Sequence, residues 1–571
     1  MQIETRSLPS QLPDLGELPP LLTRLYAARG VQSPSELDKR LQALLPFTLF
    51  KGMDAAVQVL AAAIRQGQSI LIVGDFDADG ATASSVAVLA LRALGAARVE
   101  YLVPNRFEFG YGLTPEIVAV AERYHPDVLV TVDNGISSIE GVAAAKAAGL
   151  QVVVTDHHLP AEQLPAADAI VNPNQPGCDF PSKGIAGVGV IFYVMLALRT
   201  HLREQGHFAP GAEPNLGELL DLVALGTVAD VVPLDANNRI LVHQGLARIR
   251  AGRCRPGIAA LLEVAGRNAE RLTSSDLGFI LGPRLNAAGR LDDMSLGIEC
   301  LLSDSLADAR GMAGELDGLN RERKRIEREM QQQAEKTLAA MELNAAKMPY
   351  GLCLFDPDWH QGVIGILASR LKERYHRPVI AFADAGNGDI KGSARSVNGL
   401  HIRDALDAVA AHHPGLISKF GGHAMAAGLS LPQANLAAFK RAFDQEVRRQ
   451  LSADDLTGRL LTDGELAPDE FRLELASQLQ LAGPWGQHFP EPGFHGEFEL
   501  IQQRLVGERH LKMLLRLPGQ ERLLDAIAFN IDLDVWPNER IQRVRVAFSL
   551  DVNEFRGRRS LQLLARHLQP L

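Results

Sequence analysis

The sequence predicts an α/β protein: a parallel-sheet domain, a long connecting helix, a second α/β domain and a C-terminal β-barrel. Three observations predict it. Short β-branched apolar runs alternate with helical stretches through the first part of the chain, as in a parallel sheet. Residues 308–342 contain no proline and few β-branched residues, which suits one uninterrupted helix. The last part breaks into short alternating runs separated by Gly and Asn, the pattern of a small barrel.

Residues 1–50 are Leu-rich and read as a helical N-terminal cap. The parallel-sheet domain spans 51–302, with its first strand at "SILIV", from residue 69. That strand runs into "GDFDADG" (74–80) and then into the helical "ATASSVAVLALRALGA". Asp75, Asp77, Asp79 and Gly80 have the spacing of half an EF-hand loop. The twelfth position, however, is Val86 instead of the required Glu, and the preceding element is a strand. A calcium-sensor loop is excluded. The same grammar recurs twice: "DVLVTVDNGISS" ends a strand at Asp133, and "QVVVTDHHLP" ends one at Asp156, His157 and His158. Ligands bind at the carboxyl ends of parallel strands, so three strands bring these groups to one edge. Asp230 joins them where the apolar helix "ELLDLVALGTVADVVPL" stops. Crowded carboxylates repel one another unless cations intervene. Mixed carboxylate and imidazole donors suit Mn²⁺ or Mg²⁺. The ligands exceed the needs of one ion, and two divalent cations sharing a bridging Asp is the economical reading. A lone acid after a strand is commonly just a helix cap; four clusters, three of them on strand ends, argue for more.

Residues 303–345 form the connecting helix, 346–450 the second α/β domain, and 455–571 the barrel. The barrel strands are read at "HLKMLLRLPG", "RLLDAIAFNI", "RVRVAFSLDVNEF" and "SLQLLARHL". Composition narrows the class. The 571 residues are 46% hydrophobic, enough for a core in every domain. Four cysteines without CxxC spacing argue against a zinc finger or a disulfide framework and fit a reducing cytoplasm. No stretch is apolar and long enough to span a bilayer. Net charge is −10, yet residues 501–571 carry a net +4, a hint of an anionic partner there.

"GDFDADG", "VDNG", "TDHH" and "GTVADVVPL" resemble, in order, the four motifs of the DHH phosphoesterase superfamily. "GPRLNAAGRLDD", "WHQGVIGILASRL", "GSARS" and "FGGHAMAAGLSL" narrow the resemblance to its RecJ-like branch, the single-stranded-DNA-specific exonucleases. The resemblance runs over nearly the whole chain. It implies 5′→3′ degradation of single-stranded DNA with Mn²⁺ or Mg²⁺, in DNA repair, recombination and mismatch repair. It makes 51–302 the DHH catalytic domain, 346–450 the DHH-associated domain, and 455–571 an OB-fold that grips single strands. A single-strand-binding protein and a RecQ-type helicase are its implied partners.

Carried over by that resemblance, Asp77, Asp79, Asp133, His157 and Asp230 are metal ligands, with Asp133 as the bridge. Asp75 is either a ligand or a group that orients one. His158 faces the scissile phosphate as donor or acid, or else stands one layer back, and Asp156 orients the histidines. Ser393 and Arg395, spaced by one residue on a strand, point the same way. With Arg106 they resemble a 5′-phosphate pocket, and Arg370 is a further candidate. Arg284, Asn286 and Arg290 are expected at the DNA backbone near the metals. Arg321 in "RERKRIERE" either reaches phosphate or lies on a solvated face. Gly421, Gly422 and His423 allow close approach of a phosphate or sugar, or alternatively pack helices. Arg556, Arg558 and Arg559 sit in an expected hairpin turn, in contact with DNA or simply solvated. Two rivals remain: a small-substrate DHH phosphatase (a nanoRNA or cyclic-dinucleotide hydrolase, or a pyrophosphatase), disfavoured by the extra barrel, and a metal-dead DNA-binding replication scaffold, disfavoured by the full set of acids.

Overall fold

The structure, a computed structural model, describes all residues except 106–108, 110, 111, 341–347, 534 and 556. It contains two compact units: residues 3–317 with 461–571, and residues 1–2 with 318–460.

The larger unit is built on a five-stranded sheet in the order Arg98–Leu102, Ser69–Gly74, Val128–Val132, Gln151–Thr155, Ala169–Val171, parallel throughout. The strand order reverses beside Ser69–Gly74, the switch point where such sheets open a crevice. Register does the rest. Val132 pairs with Gly74 on one side and Thr155 on the other. Asp75, Asp133 and Asp156 follow those three residues, so they leave the sheet level with one another. Both faces of the sheet are covered, which explains the unbroken apolar runs. The helix Ala78–Ala93 is buried on nearly every side. It packs against Gly187–Glu204 and Leu220–Ala229, and that layer shields the floor of the crevice.

The Leu-rich first 50 residues are not the expected helical layer. They hold a short strand, Gln2–Thr5, one α-helix, Pro20–Ala27, and three 3₁₀ turns. Prolines at 9, 13, 19, 20, 34 and 46 interrupt longer helices. The helix is tied to the chain's return segment. Tyr26 Oη donates to the Ala482 carbonyl at 2.8 Å, and its ring stacks on Trp485 and Phe489. Arg29, whose side chain is 1% exposed, makes two 2.9 Å bonds to Asp463 and donates to the Pro490 carbonyl. Replacing Arg29 by Ala leaves Asp463 buried without its main counter-charge, at a cost of about 3–5 kcal/mol. A lowered midpoint of denaturant unfolding is the expected reading; an unchanged midpoint would show the pair to be dispensable.

The C-terminal barrel is closed, in the order Phe494–Val506, His510–Arg516, Leu523–Ala528, Arg558–Pro570, Arg543–Phe555, with one parallel pairing that completes the ring. Its first strand, Phe494–Val506, escaped the sequence reading because a register shift between Leu500 and Gln502 breaks its alternation. Residues 463–493 lie outside the barrel. Leu234 N donates to the Gln487 carbonyl, Ser274 Oγ donates to the Trp485 carbonyl, and the Arg239 guanidinium covers Phe489 at 4.1 Å. This segment is thus part of the larger unit's core.

The smaller unit carries a mixed sheet in the order Lys419–Gly422, Ala426–Pro432, Asp389–Arg395, Val379–Gly386, Leu352–Phe355. Only the last pair is parallel. Phe382, Phe439 and Phe443 fill its core. The long helix is present as Leu306–Ala340. No single helix among the described residues is long and apolar enough to cross a membrane.

Candidate metal centre

Each functional side chain is set by a local backbone device. Asp77 is the N-cap of Ala78–Ala93, its Oδ1 accepting from the Asp79 and Gly80 amides at 3.0 Å. The next amide, Ala78 N, donates to Asn286 Oδ1 at 2.8 Å. Asp79 is turned inward, and its two oxygens accept from Gly187 N at 2.6 Å and Val188 N at 2.9 Å. Those amides open the helix Gly187–Glu204, whose positive end offsets the buried carboxylate. Asp133 has φ of 62°, a left-handed conformation that Asp and Asn tolerate. Asn134 braces this turn by donating to the Val73 and Val132 carbonyls. Asp156 accepts from the amides of Ile136, His157 and His158, and its Oδ1 lies 2.7 Å from His158 Nδ1. His158 is thereby oriented with Nε2 as its remaining nitrogen. His157 Nε2 lies 3.1 Å from Asp133 Oδ1 and 3.4 Å from Asp230 Oδ2.

Among the described residues, ligand atoms gather in three groups, each within 4.8 Å: Asp133, His157 and His158; Asp79, His157 and Asp230; and Asp75, Asp77 and Asp133. Asp133 belongs to two of them. Burial, with Asp77 nearby, pushes Asp79 up to about 7. Burial and the neighbouring carboxylates lift Asp133 and Asp230 well above the ordinary range. Burial disfavours a charged His158, but its bond to Asp156, with the charges of Asp230 and Asp75, carries it up to about 9. Asp156 moves down despite its burial, held by His158. A buried set of carboxylates that resists ionisation, with imidazole beside it, is a donor set short of positive charge. Mn²⁺ or Mg²⁺ supplies that charge, and the residues fit such ions.

A stability signature follows. In metal-free protein the raised carboxylates bind more protons folded than unfolded. Their contribution is complete below about pH 4 and is lost as pH rises through the folded values. His158 has the same sign, its contribution being lost as pH rises through about 9. Metal-free protein should melt lower at pH 8.5 than at pH 6. At one fixed concentration Mn²⁺ should raise the melting temperature more at pH 8.5, where the ligands are deprotonated and Kd is lower; a hundredfold excess over Kd is worth ~2.7 kcal/mol. Equal Mn²⁺ shifts at the two pH values would count against the carboxylates as ligands.

The other expected site residues are distributed as follows. Arg284 donates to the Ile280 carbonyl and pairs with Asp317 at 2.9 Å. Asn286 is occupied with Ala78 N, so it positions the acidic loop. Arg290 lies on the same helix, Gly282–Leu291. In the smaller unit, Arg395 Nη1 donates to Ser393 Oγ at 3.0 Å and to the Ala394 carbonyl. No carboxylate pairs with Arg395 among the described residues. Gly365, in the first turn of Ile364–Tyr375, lies over both: a methyl there would come 2.8 Å from Arg395 Nη2 and 2.9 Å from Ser393 Oγ. A cationic side chain, a hydroxyl and a helix N-terminus thus converge. Arg370 is held by Glu327 at 2.9 Å, bracing the long helix. Arg321 is exposed on that helix. Gly421, Gly422 and His423 belong to an exposed hairpin, which removes the helix-packing alternative. Arg558 is exposed, and Arg559 donates to Ser477 Oγ. Arg106 and Arg556 lie outside the described residues. The sequence reading missed Gly187 and Val188, whose amides hold Asp79. It also missed Asn172 and Asn174, which donate to the His158 and His157 carbonyls; their "NPN" setting reads only as a turn.

Comparison with known proteins agrees with this geometry. The model of the DHH family N-terminal domain matches residues 69–227, the DHHA1 domain 345–449, and the RecJ OB domain 462–567. The chain is 57% identical to the single-stranded-DNA-specific exonuclease RecJ of Escherichia coli (strain K12), over 100% of this chain and 98% of that one. It is 59% identical to that of Dickeya dadantii (strain 3937), over 98% of each. The crystal structure of RecJ from Thermus thermophilus in complex with Mn²⁺ is similar with a TM-score of 0.80 and 31% identity, covering 100% of this chain and 80% of that one. The Mg²⁺ complex gives 0.76 and 30%, covering 100% and 78%.

Proposed function

The chain belongs to the RecJ family of single-stranded-DNA-specific exonucleases, and on that premise we propose that it hydrolyses single strands from the 5′ end at a pair of Mn²⁺ or Mg²⁺ ions. The observation that carries this reading is that Asp133 groups with Asp75 and Asp77 on one side and lies 3.1 Å from His157, which groups with Asp79 and Asp230, on the other. Bound cations supply positive charge to the transferring phosphoryl group and make water acidic enough to attack near neutral pH. The chain's own residues do the rest. Asp77, Asp79, Asp133, His157 and Asp230 hold the ions, with Asp75 beside them. Asp156 fixes His158, which donates to the leaving 3′ oxygen through Nε2. Positive charge arriving at the centre lowers the pKa of His158 from its metal-free value toward that of a working acid. Arg284 and Arg290 stand near the DNA backbone.

Ser393, Arg395 and the start of Ile364–Tyr375 are read as the pocket for the terminal phosphate. Arg395→Ala should reduce the preference for 5′-phosphate over 5′-hydroxyl ends by roughly tenfold, the scale of a hydrogen bond to a charged group. An unchanged preference rejects the pocket. The family also supports a cytoplasmic role in DNA repair and recombination, with a single-strand-binding protein and a RecQ-type helicase as partners. The function as a whole is tested by a time course on 5′-labelled and 3′-labelled single strands, with and without Mn²⁺. The 5′ label should be released first and only with the cation; early release of the 3′ label, or hydrolysis without metal, would reject it.

A further inference from the structure

Three exposed apolar side chains lie on or beside the segments that carry the metal-binding groups. Leu159 directly follows His157 and His158 and is 62% exposed. Val231 directly follows Asp230 and is also 62% exposed. Its φ is 62°, a conformation that β-branched residues rarely adopt. Phe279 is 78% exposed. It lies in Leu277–Leu281, a π-helical turn of a kind frequent at functional sites. That turn adjoins the chain leading to Asp230: a methyl at Gly278 would come 3.1 Å from Val228 Cγ1, and one at Gly282 3.0 Å from Ala229 Cβ. A single exposed apolar side chain is ordinary; several beside one site are informative. Here three stand exposed next to, or packed beside, the segments that carry the metal-binding groups.

Resting on the reading that a single strand is the substrate, we infer that Leu159, Val231 and Phe279 form an apolar rim that receives unstacked nucleobases as their phosphates approach the centre. Every phosphate drawn to the cations brings a base with it. In a single strand the face of that base is uncovered, and contact with an aromatic or aliphatic side chain is favourable whatever the base. In a duplex the faces are already stacked, so the rim gains nothing there. The rim therefore senses single-strandedness beside the chemistry, independently of any grip by the barrel. It also favours a polymer over small phosphate esters, which have no base to place on it.

Phe279 is 78% exposed, so Phe279→Ala leaves the core intact. Steady-state kinetics with Mn²⁺ on a single strand of natural bases and on one with abasic sites at its 5′ end, each 5′-phosphorylated, separate the possibilities. The variant should raise KM for the natural strand about tenfold, within the range for loss of one base–aromatic stack. The ratio of variant to wild type should be much smaller on the abasic strand, and Phe279→Trp should recover the natural-strand KM. No change in KM overturns the rim and points to a protein partner as the occupant of the patch. Equal loss on both strands overturns it in favour of a backbone role. Wild-type protein that degrades neither strand overturns the exonuclease reading itself, a result distinct from the other two.

Discussion

Asp133→Asn should lower Mn²⁺-dependent hydrolysis of single-stranded DNA by at least ~10³-fold, the scale of several kcal/mol of transition-state charge stabilisation. The substitution is chosen for the backbone. At φ of 62° an alanine would be strained, whereas asparagine tolerates the left-handed region and matches aspartate in shape. Only the charge changes, and Asp133 lies in two of the three ligand groups. The same change relieves a repulsion. Asp133 is lifted well above the carboxylate range by burial, Asp79, Asp77 and Asp230. Metal-free Asp133→Asn protein should therefore melt higher than wild type at pH 8, while its stabilisation by Mn²⁺ is largely lost. Activity and stability move in opposite directions, as expected at a site that holds unfavourable charge for function. Near-wild-type hydrolysis with Mn²⁺ would end the shared-ligand model.

The second large effect is expected at a residue without a functional group. A methyl at Gly187 would come 2.6 Å from both Cβ and Oδ1 of Asp133, closer than real Cβ contacts. The Gly187 amide also donates to Asp79 at 2.6 Å. Gly187→Ala forces either Asp133 to turn or the start of Gly187–Glu204 to retreat from Asp79. In both cases the ligands lose their mutual placement while the helix stays anchored by its buried face. Mn²⁺ affinity should fall roughly 10–100-fold, the usual scale when a ligand's support is removed, and turnover should fall with it. Far-UV circular dichroism should be unchanged. Gly311→Ala, where a methyl meets nothing within 4 Å, is the control and should leave metal binding intact. If Gly187→Ala bound Mn²⁺ like wild type, the close approach of that helix to Asp133 would have no bearing on the centre.

The strand-end acids were legible because a parallel strand announces itself locally. "SILIV", "VLVTV" and "VVVT" are β-branched, apolar and short, and each runs into an acid within a residue or two. The long helix was legible for a similar reason: it holds no proline and few β-branched residues. Roles that depend on a distant partner were not legible. The ion pair that joins Arg370 to Glu327 on the long helix was one of these. The bond from Ala78 N to Asn286 Oδ1, across more than two hundred residues, was another. The strand Phe494–Val506 was missed because a bulge destroys the period-two signal, and the leucines of the first 50 residues suggested helix where prolines allow little of it.

The chain by itself determined that carboxylates and imidazoles would leave the sheet at one edge, because a strand's end and its following turn are local properties of the sequence. Only the tertiary structure decided which oxygens face one another, which are taken up by helix amides, and how closely Gly187 approaches Asp133. Those outcomes depend on register between strands and on the seating of a helix more than fifty residues away from Asp133, and both are set by packing of the whole core, not by any segment's own pattern.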